Sequence, residues 1–309
     1  ADDFLDRSDK LWEGSWEDGA VVADKARRIH VLPDKVHVVS HEGPFYRTNA
    51  IHMSAPSPQR TPVLFQAGTS ARGLRFAGQH AEGIFIGART PEAARDASRK
   101  LRQAAVDAGR RPEDIKIYVG VAVVPGRTEA EARAKYAEYL AHANPEGGLA
   151  HFAASTGVDF AKYGLDEPIA FGNTNAIQSA AQAAQQQGLT TRRKLLEQFS
   201  LGSRYTTMVG DASQVADELE RWIDVGEIDG FNLTLIVVPE TWEDFANLVV
   251  PELQNRGSYR TQYTEGSFRE KLFGQGDHLP DRPPAARTRR SRSVPAEAAP
   301  APQSVEETA

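Results

Sequence analysis

Short apolar runs alternate with longer amphipathic stretches through most of the chain, a pattern that predicts repeated strand-to-helix units. A strand at 62–66 leads to a helix at 71–81, a strand at 83–87 to a helix at 91–107, a strand at 115–124 to a long helical stretch, and a strand at 230–238 to a helix at 241–255. The 91–107 helix carries the fullest set of signals. Thr90 stands at its N-cap, Pro91 at its first position, Ala94, Ala97 and Leu101 on one face, and Gly109 beyond its end. The stretch between the third strand and the last is far longer than an ordinary βα connection, which predicts a helical insertion at 126–206. Within it, Thr128 and Glu131 form a capping box for a helix through Leu140, and Asn173–Gln187 reads as an Ala/Gln-rich helix. A helix at 211–225, capped by Asp211 and Gln214 and facing Val215, Leu219, Trp222 and Ile223 inward, returns the chain to the sheet.

Upstream, residues 1–28 read as helix, with Leu5, Leu11 and Trp12 at helical spacing, and 36–49 as a hairpin turning at Glu42-Gly43-Pro44. After Gly276 the composition shifts to Pro, Ala, Arg and Ser, and residues 279–309 read as a disordered tail beyond a domain at 1–278. Arg287, Arg289, Arg290 and Arg292 in that tail read as a solvated charge run. Four βα units with parallel-strand character fit half of an eight-stranded barrel or a small open sheet, and a helix at the start without its own strand favours the C-terminal half barrel.

The chemistry concentrates where the first strand ends. Gly68, Thr69 and Ser70 sit just past that strand, and a helix begins near Ala71. Backbone N–H groups at a helix N-terminus lack partners, and with hydroxyls beside them a phosphate is a natural ligand. Gly and Ser also punctuate connections that bind nothing, so both readings stand at this point. Leu74 follows Gly73 where a P-loop requires Lys, and there is no G-x-G-x-x-G fingerprint.

Composition narrows the classes. The chain has 309 residues, 40% of them hydrophobic and 25% charged, as in a globular protein, and its formal charge of −6 offers no net basic field for nucleic acid. Its apolar runs, such as Leu233–Val238, are far shorter than the ~20 residues of a membrane span. Cysteine is absent, which excludes disulfides, thiolate catalysis and Cys-based zinc sites and suits a cytoplasmic enzyme. The first sixteen residues are acidic and have no signal-peptide core. The two methionines are Met53 and Met208, so the sequence reads as starting inside a longer protein.

Six segments carry a resemblance: LWEGSWEDGAVVADK at 11–25, PDKVHVVSHEGPFY at 33–46, SPQRTPVLFQAGTSARG at 57–73, HAEGIFIGARTPEAAR at 80–95, VGDASQVADELERWIDVGEIDGFNL at 209–233 and VVPELQNRG at 249–257. Together they resemble the flavin-dependent monooxygenases of the bacterial-luciferase-like superfamily, in the branch of nitrilotriacetate, dibenzothiophene-sulfone and long-chain alkane monooxygenases. The resemblance implies a (β/α)8 TIM barrel, here its later half with the first four βα units lacking. It implies FMN used as FMNH2, O2 as oxygen source, and a separate NAD(P)H:flavin oxidoreductase that consumes NADH. One oxygen atom would enter a small organic substrate, and the family commonly forms homo-oligomers. The turn matching the family's Q-A-G-x-S segment places the FMN phosphate at Gln66, Ala67, Gly68, Thr69 and Ser70, with Arg72 either a charged helper or a solvent-facing residue of the helix's first turn. Asn232 on the last strand is a further candidate. The catalytic residues themselves are not identified, and the insertion at 126–206 is a candidate lid or, alternatively, a subunit-packing element. The alternative class is a non-catalytic flavin-binding or interaction module.

The remaining chemistry-bearing residues read as structural. His37 and His41 are four apart on a hairpin rather than a helix, with Glu42 adjacent, so no metal set emerges. His80 and Glu82 border a buried strand, and nothing in the spacing gives His142 or His151 a role.

Overall fold

The computed structural model describes residues 1–68, 70–171, 181, 184–185, 188–201, 205–281 and 283–289. It divides into two units, one of residues 1–62 with 266–309 and one of residues 63–265.

The second unit is built on a parallel sheet of β5 (Phe65–Ala67), β6 (Gly83–Ile86), β7 (Lys116–Gly126), β8 (Thr206–Asp211) and β9 (Gly230–Thr234). The four expected strands are present, and β8 is a fifth that the hydrophobic pattern did not separate from the insertion. The eleven residues of β7 explain its place. Lys116–Val119 pair with β6, Val121–Gly126 with β8, and Tyr118–Ala122 with β9. A strand has two edges, so β6 and β8 follow one another along one edge of β7 and β9 takes the other. All these pairings are parallel, and their connections are helical.

Side-chain alternation gives this sheet two different faces. One carries Ile84, Ile86, Ile117, Val119, Val121 and Val123, and buries them under three helices. These are α2 (Ala71–His80), α3 (Pro91–Asp107) and Ala212–Gly226. Their ends follow the sequence signals. Thr90 Oγ1 accepts from Ala93 N at 3.2 Å, and Asp211 and Gln214 exchange side-chain and backbone bonds at 3.0 Å each. Ala94, Leu101, Ala105, Val215, Leu219 and Trp222 complete the core. After β9 the chain forms Glu240–Asp244, a π turn at Phe245–Val249 and Val250–Asn255, where Pro251 has no N–H to give an unbroken helical ladder.

The insertion is two structures rather than one. Helix α4 (Glu129–Ala141), with Thr128 Oγ1 accepting from Glu131 N at 3.2 Å, lies against β7 and β8. Residues 145–199 hold a separate core of Leu149, Phe152, Phe160, Leu195 and Phe199, drawn from α5 (Pro145–Thr156), a 3-10 turn at Phe160–Lys162 and helix Arg192–Gln198. Ring centroids of Phe152 and Phe199 are 4.5 Å apart. The helix expected at Asn173–Gln187 lies largely outside the described residues.

In the first unit, α1 (Asp2–Gly14) ends well before residue 28. Ser15 to Glu17 instead join an antiparallel ladder: His37 N donates to Ser15 O at 2.8 Å, and Glu17 N donates to Lys35 O at 3.0 Å. A small hairpin, β1 (Val21–Asp24) with β2 (Ile29–Val31), replaces the expected helix. The second hairpin, β3 (Val39–Glu42) with β4 (Arg47–Ala50), turns where expected. Asp3 organises that turn, its Oδ2 accepting from Phe45 N and Tyr46 N at 2.8 and 2.9 Å.

The described part of the expected disordered tail is folded. Leu279 and Ala285 are buried, and Pro284–Thr288 form a 3-10 helix. Arg289 holds this segment by donating from Nε to Glu13 Oε2 at 2.7 Å and from Nη2 to Leu279 O at 2.9 Å. Composition alone missed these anchors, because one leucine, one alanine and one ion pair carry the packing. Arg290 and Arg292, with the rest of 290–309, lie outside the described residues.

Candidate functional site

β5 ends at Ala67 and the chain turns at Gly68, whose φ of +108° belongs to a region that L side chains rarely adopt. A Cβ there would meet nothing within 4 Å, so the turn opens onto free space. Ser70 caps α2: its Oγ accepts from Gly73 N at 3.1 Å, while its carbonyl accepts from Leu74 N at 2.8 Å. The ten-residue helix therefore presents its N-terminus to the carboxyl end of β5. Thr69, between the glycine and the cap, lies outside the described residues.

Gln66 sits differently from its sequence neighbours. It pairs in register with Ile84, which pairs with Ile117, so its side chain belongs to the helix-covered face. Its Nε2 donates to Gly73 O at 3.0 Å, and its Oε1 is buried without a partner. The amide thus braces α2 against β5. Arg72 is exposed and leans over Phe76, its guanidinium carbon 5.7 Å from the ring centroid.

Asn232 pairs with Gly120, an odd number of residues from Ile117, and therefore lies on the opposite face. That face carries an aromatic group that the hydrophobic reading of the strands overlooked. Phe65 and Phe85 stack with centroids 5.2 Å apart, and each lies 5.9 Å from Tyr118. Glycines make room for it. A Cβ on Gly83 would fall 2.3 Å from the Phe65 ring, and one on Gly120 would fall 2.3 Å from the Tyr205 ring. The signal was the alternation Gly83-x-Phe85 and Tyr118-x-Gly120 between buried aliphatic positions. Burial, with Asp229 adding to it, pushes the Tyr118 phenol above its ordinary value, so it keeps its proton. The face is half-exposed, and Asn232 adds an exposed amide that both donates and accepts.

The histidines have other work. His37 Nε2 lies 2.7 Å from Glu17 Oε1, buried His41 meets Asp3 at 2.8 Å, and His80 packs on Phe76 with centroids 4.9 Å apart. Glu82 Oε2 accepts from Leu64 N at 3.3 Å. His142 forms the C-cap of α4, and His151 lies on α5. No group of three or more His, Cys, Asp and Glu residues suited to a metal occurs among the described residues.

A helix N-terminus and an open glycine turn, at the end of a strand that carries part of an aromatic face, suit a ligand with a phosphate at one end and a planar ring at the other. The sequence profile of the luciferase-like monooxygenases matches residues 2–227. The chain belongs to this family. Dimethyl-sulfide monooxygenase of Hyphomicrobium sulfonivorans is 42% identical over 90% of this chain and 58% of its own length. Long-chain alkane monooxygenase of Geobacillus thermodenitrificans is 41% identical over 94% of this chain and 62% of its own. Dibenzothiophene-sulfone monooxygenase of Rhodococcus erythropolis is 36% identical over 88% and 62%.

Among solved structures, DmoA from Hyphomicrobium sulfonivorans superposes with a TM-score of 0.83 at 40% identity, covering 95% of this chain and 66% of that one. A riboflavin lyase solved with modified FMN and riboflavin gives 0.85 at 35% identity, covering 94% and 64%. The fold is accordingly that of the luciferase-like TIM barrels. The chain spans about three fifths of the length of these curated relatives. Nothing in the matches assigns it to one end of them, and the expected loss of the first four βα units draws no support from them. Among the described residues no helix is long and apolar enough to cross a membrane.

Proposed function

We propose that the chain serves a monooxygenase that uses reduced FMN and O2 to insert one oxygen atom into a small organic substrate, with the flavin reduced by a separate NAD(P)H:flavin oxidoreductase. The reading rests on the turn at Gly68–Ser70 in a chain of this family. A relative named component A of nitrilotriacetate monooxygenase, 32% identical, supports a two-component system. FMN, when bound, supplies the oxygen-activating chemistry. A cytoplasmic setting, a homo-oligomer and the reading of β5 to β9 as the later half of a barrel belong to the same proposal. No observation favours a non-catalytic module.

The protein's own part is to bind, orient and exclude water. Backbone N–H groups at the start of α2 bind the phosphate, and Thr69 joins them. The Ser70 hydroxyl adds its proton, because its oxygen already accepts from Gly73 and its hydrogen stays free to donate. Gln66 positions this turn through Gly73 O. Arg72 adds positive charge from the first turn of the helix. Phe65, Phe85 and Tyr118 offer the ring an aromatic surface with Asn232 on the same face, and the 126–206 insertion covers the mouth.

Titration of the full protein with FMN and with riboflavin tests the reading. Ser70→Ala should weaken FMN by about 1–2 kcal/mol, as expected for one hydrogen bond to a charged group, and leave riboflavin, which has no phosphate, unchanged. Ser70→Gly keeps most of the capping and separates helix stability from phosphate binding. Equal losses for both ligands, or no loss for FMN, would remove the phosphate from this turn.

A further inference from the structure

A polar cavity of about 280 Å3 opens one strand over from the cofactor turn. Arg89, just past the carboxyl end of β6, lines one side, and Tyr136 of α4 another. Glu197 and Gln198, at the end of helix Arg192–Gln198, face Tyr205 and Thr207 at the start of β8. Its walls are tied together. Arg89 Nη1 donates to Gln198 Oε1, Thr206 Oγ1 donates to Arg89 O at 3.3 Å, and the Tyr205 ring rests on Gly120. Leu201 is the single aliphatic residue in the described lining. Ligand cavities run to roughly 300–1,000 Å3 and are mostly apolar, so this one is small and unusually hydrophilic.

Its charges are the informative part. Arg89 brings a guanidinium and Glu197 a carboxylate to the same cavity, yet Arg89 bonds the neutral Gln198 amide rather than the Glu197 carboxylate. No ion pair joins the two among the described residues, and the Glu197 carboxylate also acts on the neighbouring Arg193, whose guanidinium it helps to keep protonated. A guanidinium matches a carboxylate in plane and in pairs of hydrogen bonds, and a carboxylate accepts from an ammonium. Tyr136, Tyr205 and Thr207 line the same cavity.

We infer that this cavity is the pocket for the oxygen-accepting substrate and that it takes a small zwitterion, carboxylate against Arg89 and ammonium against Glu197. Its role in catalysis rests on the function proposed above, whereas the binding itself does not require flavin. Its polar lining excludes a long alkyl chain or a fused aromatic sulfone, which need extensive apolar contact.

The test is calorimetric titration of the full 309-residue chain, without flavin, against four methyl thioethers that carry both charges, one of them or neither: S-methylcysteine, 3-(methylthio)propionate, 2-(methylthio)ethylamine and dimethyl sulfide. S-Methylcysteine should bind at least about tenfold tighter than either singly charged compound, the gain expected of one charge-assisted contact. Arg89→Ala should abolish its advantage over the amine, and Glu197→Gln its advantage over the acid. Both side chains are exposed, so the fold should survive, and circular dichroism checks it. Absence of S-methylcysteine binding, equal binding of all four, or unaltered preference in both variants would overturn the inference. Flavin titration in parallel separates the two readings: intact FMN binding without zwitterion selectivity refutes the pocket alone, and the reverse refutes the flavin site while the pocket stands.

Discussion

Asp9 should make the stability of the first unit fall as pH rises, and Asp9→Asn should remove the effect. The residue lies on α1 with 3% of its surface exposed, and its Oδ1 has no hydrogen-bond partner. Burial, then the neighbouring carboxylates of Glu13 and Asp6, push its carboxyl from 3.8 up to about 7. The folded chain therefore keeps a proton on Asp9 between roughly pH 4 and 7 that the unfolded chain has already lost. Stability from this group is whole below pH 3.8 and declines until about pH 7, where the full cost is reached. A rise of about three pH units at 1.36 kcal/mol each makes that cost about 4 kcal/mol. Asparagine has the same shape and no proton to lose. In urea unfolding, the stability gap between Asp9→Asn and the parent should widen in favour of the variant by about 3 kcal/mol from pH 5 to pH 8 and stay level above that. A gap that is constant across this range would show that Asp9 is ionised in the fold and would refute the argument from burial.

Three further outcomes follow from particular contacts. Arg289→Ala leaves the Glu13 carboxylate, whose side chain is wholly buried, with only the bonds from Thr61 N and Oγ1; it should cost roughly 3 kcal/mol and expose the Pro284–Thr288 segment to protease, visible by mass spectrometry of the fragments. Gly120→Ala drives a Cβ into the Tyr205 ring and should destabilise by about 1–3 kcal/mol, with a change in the near-ultraviolet tyrosine circular dichroism. Leu195→Ala removes a fully buried side chain from the insertion's own core; it should cost about 2–5 kcal/mol locally and bring proteolysis within 145–199 before any loss of the sheet.

The strands and helices that face the main core were legible because one periodicity governed them. Pro91–Asp107 and Ala212–Gly226 carry both an apolar stripe and recognisable caps, and both formed within a residue of expectation. The failures share a cause. Residues 15–31 form a ladder and a hairpin because Ser15, Trp16 and Glu17 pair with His37, Val36 and Lys35 across a long separation, which no local pattern reveals. Residues 206–211 form a strand because β7 is long enough to offer them an edge. Pro284–Thr288 and Leu279 are held by Arg289 reaching Glu13 and the Leu279 carbonyl, although composition places Arg289 in a solvated charge run. Where a non-local partner decides the conformation, the amphipathic period is silent.

The candidate site divides along the same line. The turn at Gly68 and the cap at Ser70 are local features, and both were visible as residue types in order. The faces of the sheet are not local. Gln66 and Asn232 look equivalent as polar residues on apolar strands, yet the parallel register sends Gln66 under α2 and Asn232 to the face of Phe65, Phe85 and Tyr118. One ligand touching both the turn after β5 and Asn232 must therefore pass from the carboxyl end of β5 onto the aromatic face. The Gln66 amide lies behind the sheet from that path. In the proposed site its contribution comes through the geometry of the turn, and losing it should alter the proposed phosphate binding only as far as α2 moves.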